Sequence, residues 1–200
     1  MPSTYASYDE VVASNLLQKI LWRVIAREGK SKNYKDLLPL DGGTVGIAHF
    51  AVGGLASLYQ EMDTQVFFSR SRQDMIEHFS AACRPEGRRG DDDGWGCHSQ
   101  AWWNEGMQAF LASADAQAVQ HRAWARLMRS TIVAVLDKGW NSERELAIAL
   151  GIANSLGGGG FSRLAQECDW DAEATLARYA SESAHHLRRR DALDAAFPRA

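Results

Sequence analysis

The sequence predicts a mainly α protein (α+β) in which a small β-hairpin lobe accompanies a larger helical lobe. Three observations carry that prediction. Apolar residues recur with helical spacing along most of the chain. One extended, glycine-rich stretch over residues 40–50 interrupts them. No repeat, heptad array or separating linker occurs, so residues 1–200 are expected to form a single domain with its cleft between the two lobes.

Each element has its own signal. Ser7-x-x-Glu10 is a capping-box pattern that opens a helix. Val11, Val12, Leu16, Leu17, Ile20, Leu21, Val24 and Ile25 continue it at helical spacing to Glu28, and Gly29 is placed as its stop. Residues 40–50 read as extended, with Gly42-Gly43 as the turn, and weaker helices are expected over 53–61 and 72–82. RPEGRRGDDDGWGCHSQ (84–100) is dense in glycine and charge and reads as a loop. Trp102 to Leu111, Asp115 to Lys138 and Ser142 to Leu156 read as helices, the last capped by Asn141 or Ser142. Gly157 to Gly160 is expected to break the chain, and helices near 161–168, 171–183 and 186–197 complete it.

Composition narrows the function classes. With 46% hydrophobic and 24% charged residues, the chain is ordinary for a globular protein. A formal net charge of -3 predicts no nucleic-acid partner. No apolar run is long enough to span a membrane. The opening MPSTYASYDE lacks a basic n-region and an apolar h-region, so no signal peptide is expected. The 3 cysteines are too few for a disulfide scaffold. Cys83 and Cys97 suit a bridge in an oxidising compartment and free thiols elsewhere.

Glu28 is the first candidate for chemistry. A carboxylate in the last turn of a helix faces the negative end of the macrodipole, at a cost of roughly 0.3–1 kcal/mol. That penalty favours the protonated carboxyl, and partial burial would act the same way. A proton donor working near neutral pH needs such an environment. Asp36 and Asp41 follow on a loop and hairpin able to fold back over the helix end. Two facing carboxyls serve glycoside hydrolysis, one as acid for the leaving oxygen and one as base for a water. Thr44 would hold that water through its hydroxyl, while Gly42, Gly43 and Gly46 let a sugar lie against the backbone. The plainer reading is a hairpin with ordinary turn acids.

These residues carry a family resemblance. Glu28-Gly29, Tyr34-Lys35-Asp36 and Thr44-Val45-Gly46-Ile47-Ala48-His49 together resemble the active-site stretch of phage-type lysozymes, whose pattern is Glu-Gly, Tyr-x-Asp, then Thr-x-Gly-x-Gly-His. LAIALGIANSLGGGGFSRLAQECDWDAEA (146–174) is similar to their buried helix, glycine-rich break and following short helix. Arg188, Arg189 and Phe197 fit a closing Arg-rich helix. FLASADAQAVQHRAWARLM (110–128) and the Asp41-Gly42-x-Thr44 turn are closer to chitosanases of the same superfamily. Asp36 stands one residue nearer Glu28 than in the phage pattern, Thr44 one residue further, and Ala48 replaces a glycine. The resemblance implies a lysozyme-like fold and hydrolysis of the β-1,4 bonds of peptidoglycan glycan strands. Glu28 would be the general acid, Asp41 (or, as a close second, Asp36) the general base, and Thr44 the residue that positions water. No cofactor is implied. Chitosanases and lytic transglycosylases share the fold, and a transglycosylase would manage with Glu28 alone.

Other residues carry weaker signals. His49 resembles the family's histidine supporting the site, and with no partner at ligand spacing it reads as a core histidine rather than a metal ligand. Asp91-Asp92-Asp93-Gly94 lacks the ligand pattern of a calcium loop and reads as a solvated acidic loop, so no metal site is expected. Trp95, Trp102 and Trp103 suit either a glycan groove or core packing. Asn154 suits either a substrate contact or a helix cap. Gly157 to Gly160 has no GKS/T and follows a helix, which excludes a P-loop. A thiol nucleophile at Cys83 or Cys97 with His98 is disfavoured, because adjacent residues cannot form the spatial dyad.

A muramidase finds no substrate in the cytoplasm, where a chain without a signal peptide is expected to be made. Delivery to the periplasm or cell wall by a holin or a dedicated secretion machine is therefore expected. An antibacterial effector delivered between bacteria would travel with an immunity or inhibitor protein that plugs the cleft. A catalytically inert glycan-binding module is the reading from another class, and retention of Glu28 with both acids argues against it.

Overall fold

The computed structural model describes residues 4–28, 32–38, 44–50, 53–62, 66–67, 70–71 and 101–199. Among these the chain is mainly helical, and its strands are two residues long. It forms two compact units: Met1–Gly29 with Met128–Ala200, and Lys30–Leu127.

The first unit opens with α1 (Tyr8–Ala13), whose Ser7 cap accepts from the Glu10 N–H at 3.2 Å. The Glu10 carboxylate reaches back to the Ala6 N–H at 2.7 Å, one residue before the cap. The single helix expected up to Glu28 is broken. Ser14 Oγ donates to the Val11 carbonyl at 2.7 Å and accepts from Leu16 N–H at 3.1 Å, offering the backbone a local alternative to helix. The chain restarts as α2 (Leu16–Ile20), widens into a π-helical stretch (Leu21–Ile25) and ends in α3 (Ala26–Glu28). Most of the expected apolar face is buried, as Val11, Leu16, Leu17, Ile20, Leu21, Val24 and Ile25 show, but Val12 is exposed.

At the centre of this unit lies the first half of α7 (Glu143–Glu167). Its capping box is complete: Ser142 Oγ accepts from Glu145 N–H at 3.3 Å, and Glu145 Oε2 accepts from Ser142 N–H at 2.9 Å. Residues 146–153 are buried on every side, as an apolar run without a polar face requires. Full burial of each Leu or Ile there contributes about 1.5–3 kcal/mol. α2, the π-helical stretch, α8 (Ala172–Ala180) and α9 (Ala184–Ala196) pack against α7.

The expected break over Gly157 to Gly160 narrows to one residue. Gly157 alone is non-helical (φ 73, ψ 162), a conformation essentially restricted to glycine, and the helix resumes at once. Gly158 is small for a different reason: a Cβ there would lie 3.1 Å from Thr131 Oγ1. The helices expected separately over 142–156 and 161–168 are two helical segments that meet at the Gly157 kink, the second starting right after it. Arg144 binds its end of α7 to the two last helices, donating to Glu173 Oε2 at 2.9 Å, Asp194 Oδ1 at 2.7 Å and the Phe197 carbonyl.

The second unit contains β1 (Leu37–Leu38) and β2 (Thr44–Val45), antiparallel, with Leu37 opposite Val45 and Leu38 opposite Thr44. The extended stretch expected over 40–50 ends as strand at Val45. Residues 46–49 form a turn closed by Val45 N–H to Phe50 O and Phe50 N–H to Val45 O, both 2.9 Å. Two left-handed residues make it: Gly46 at φ 65 and His49 at φ 57. α4 (Gly53–Glu61) matches its expected span, and β3 (Val66–Phe67) pairs with β4 (Arg70–Ser71). α5 (Ala101–Ala112) and the Ala116–Leu127 part of α6 (Ala116–Asp137) complete this unit. Buried Val45, Ile47, Phe50, Leu55, Met107 and Trp124 are part of its core. The expected helix over 72–82, Cys83, the loop over 84–100 with Trp95, Cys97 and His98, and the Gly42-Gly43 turn lie outside the described residues.

Candidate functional site

Glu28 is the last residue of α3, at the end of a helical run that changes pitch just before it. The Ala26 N–H bonds the Leu21 carbonyl, five residues back, in place of the usual four. Such π turns occur mostly as isolated insertions in α-helices, frequently at functional sites. Leu21, Val24 and Ile25 in that turn are fully buried and Ala26 nearly so, which anchors the chain directly before Glu28. Asn154, another sequence candidate, belongs to this same unit. It lies half-buried inside α7 rather than at a helix end, because the helix continues past it to the Gly157 kink.

Asp36, Thr44 and His49 belong to the second unit. Asp36 is half-buried, and its Oδ2 accepts from the Lys32 N–H and from the Asn33 N–H, the latter at 3.1 Å. Asn33 Oδ1 accepts from Lys35 N–H at 2.7 Å, so this loop is folded around its own polar side chains. The Asp36 carbonyl also accepts from Gly46 N–H at 2.8 Å, which ties the loop to the turn after β2. Thr44 sits in β2 opposite Leu38, at the end of the 39–43 connection that contains Asp41. Asp41 itself lies outside the described residues. His49, expected as a core histidine, is instead half-buried, because it holds the second left-handed position of the 46–49 turn. Trp102 and Trp103 lie in the first turn of α5.

The loop and the turn meet on a residue that the sequence reading passed over. Gln120 of α6 is fully buried; its Nε2 donates to the Tyr34 carbonyl at 2.7 Å and its Oε1 accepts from the Ile47 N–H at 3.3 Å. Gly46 makes room for it, since a Cβ there would fall 1.8 Å from Gln120 Oε1. The expectation that Gly46 leaves its backbone open to a sugar is thus replaced: the space beside it is filled by Gln120. Next along the helix, His121 Nε2 shares a hydrogen bond with the Tyr34 hydroxyl, and the two rings meet edge-on with centroids 5.2 Å apart. Burial pushes the His121 imidazole below its ordinary value. One signal was available for Gln120. It interrupts the apolar face formed by Ala116, Val119, Ala123 and Trp124, and a polar residue on such a face must find partners.

An open pocket of about 520 Å³ separates the 33–36 loop from the connection between α5 and α6. Lys35, Asp36, Ser113 and Gln117 contribute polar groups to it, and Leu111 and Ala116 apolar ones. Among the described residues no group of three or more His, Cys, Asp or Glu is arranged to hold a metal ion, and no helix is long and apolar enough to cross a membrane. Cys168 is a free thiol. The chain matches no protein-family model, no curated protein and no solved structure.

Proposed function

We propose that the chain is a peptidoglycan glycoside hydrolase of lysozyme-like fold, a muramidase that cleaves β-1,4 glycan bonds by general acid/base catalysis. The observation that carries this reading is local. A buried helical run shifts to π geometry and ends on Glu28, and the next described elements are an acid-bearing loop and a hairpin with Thr44 on its returning strand. Glu28 protonates the leaving glycosidic oxygen. A second carboxylate takes the proton from a water on the opposite face of the sugar, with Thr44 orienting that water.

Asp41 is the preferred base. Asp36 Oδ2 accepts from the Lys32 and Asn33 N–H groups, which gives this carboxylate a bracing role in its own loop. That same engagement supports a second reading. If Asp41 is dispensable as well, Glu28 works alone, and the enzyme is a lytic transglycosylase that forms anhydro sugars. In the effector version of the proposal the protein is bacteriolytic, reaches the cell wall through a holin or secretion machine, and is held in check by an immunity protein.

The test is lysis of purified cell-wall sacculi. Glu28→Gln preserves size and hydrogen bonding but cannot donate the proton, so the rate should fall by about 10²–10⁴-fold. A folded Glu28→Gln protein that lyses sacculi at the wild-type rate refutes the assignment. Purified chitosan offered beside the sacculi distinguishes a chitosanase.

A further inference from the structure

We infer that Gln120 is the positioning residue of the loop and hairpin that carry the second carboxylate and Thr44, an inference whose catalytic half rests on the hydrolase reading above. The hairpin is too small to hold a fixed shape alone, because each strand contributes two residues and a two-stranded ribbon is at best marginal in water. Something outside it must hold both ends. Before β1, the Tyr34 carbonyl accepts from Gln120 Nε2; after β2, the Ile47 N–H donates to Gln120 Oε1. A single buried carboxamide therefore bonds the chain before β1 and after β2, on either side of Asp36 and Thr44.

The contact is built from both partners. Gly46 carries no side chain where Gln120 enters, and its left-handed backbone turns the Ile47 N–H toward the helix. Gln120 is flanked on α6 by buried Val119, Ala123 and Trp124, so its amide has little room to reorient. Either polar end left unmatched would be a buried, unsatisfied group, so loss of one bond penalises the other. An apolar residue at 120 would fill the volume but leave the 34–47 segment free to shift. A shift of about 1 Å suffices to spoil alignment between a base, its water and a substrate.

Gln120→Met, of similar size and without a carboxamide, is the test variant, read by amide hydrogen exchange and by steady-state lysis kinetics. Exchange at Ile47 and Gly46 should accelerate about tenfold or more, while the amides of 146–153 keep their protection. Turnover should fall at least about tenfold with KM little changed, as expected when geometry rather than binding is lost. Gln120→Asn keeps both polar groups one methylene short and should be intermediate; it also serves if the Met variant does not fold. Tyr34→Phe removes the hydroxyl bond to His121 but keeps the backbone carbonyl that Gln120 binds, and should leave Ile47 exchange near wild type. Unchanged exchange at Ile47 in Gln120→Met overturns the clamp. Accelerated exchange with undiminished turnover overturns the positioning role. A wild-type protein that lyses no sacculi overturns the hydrolase reading and the catalytic half of this one, and the exchange data still decide the clamp.

Discussion

Replacing Gly46 by alanine should be among the most damaging single-methyl additions this chain can suffer. The backbone there is left-handed at φ 65, which costs an L-residue roughly 1–2 kcal/mol relative to glycine. The new Cβ would stand 1.8 Å from Gln120 Oε1 and 2.5 Å from its Cδ, closer than atoms can approach. Gln120 has no exposed volume into which to retreat, so its carboxamide must leave the Tyr34 carbonyl or the Ile47 N–H. A buried polar group left without its partner costs about 1–3 kcal/mol. The combined loss is about 2–5 kcal/mol, measurable as a shift in urea midpoint at constant slope. A double-mutant cycle isolates the contact. With Gln120→Ala already in place the clash disappears, so Gly46→Ala should then cost only its conformational part of roughly 1–2 kcal/mol. A loss below about 1 kcal/mol for Gly46→Ala alone, or strict additivity with Gln120→Ala, would refute the reasoning.

Further outcomes can be stated from the same geometry. Gly159→Ala meets nothing within 4 Å and sits in a helix, so it should be neutral or stabilise by up to about 1 kcal/mol in thermal denaturation, whereas Gly157→Ala at φ 73 should destabilise. Arg144→Ala removes charged bonds to Glu173 and Asp194 and one to the Phe197 carbonyl, and should cost roughly 2–3 kcal/mol. The hydrogen bond from Arg144 holds the Glu173 carboxyl below its ordinary 4.5, so the stability it adds is present above that value and lost as pH falls through the depressed one; the Arg144→Ala protein should lose less stability as pH falls below 4.5. Burial likewise depresses His121, so its contribution is complete above 6.5 and declines as pH drops below it. Urea midpoints at pH 7.5 and 5.5 should therefore differ less in His121→Gln than in wild type. Under the hydrolase reading, Asp41→Asn should abolish muropeptide release and Asp36→Asn reduce it moderately, with products bearing reducing ends; activity in both variants together with anhydro products would favour the transglycosylase.

Where the sequence was legible, the responsible interactions are short in chain distance. Ser142, one of the two residues expected to cap it, starts α7 because a capping box spans three residues, whereas Ser183, expected inside a helix over 171–183, lies beyond the end of α8 and caps α9. Residues 146–153 fall within the helix expected over Ser142 to Leu156, and the break expected over Gly157 to Gly160 falls at Gly157, whose backbone angles belong to glycine. Glu28 stands at a helix end, where the apolar period stops.

Tertiary structure decided the rest. The period that predicts one helix from Ser7 to Glu28 does not reveal that Ser14 will bond Val11 and Leu16, nor that the chain will widen to π geometry before the glutamate. Small residues at 44–48 looked like a continuing strand until Gly46 and His49 turned it, with Gln120 occupying the space beside the glycine. Gln120 and Tyr34 are 86 residues apart, and Arg144 and Phe197 53 apart. Capping, periodicity and turn chemistry act over a few residues and are written in local order. Bonds between residues so far apart exist only after the helices have packed, when burial strips water from a carboxamide or a guanidinium and leaves it the protein's own groups as partners.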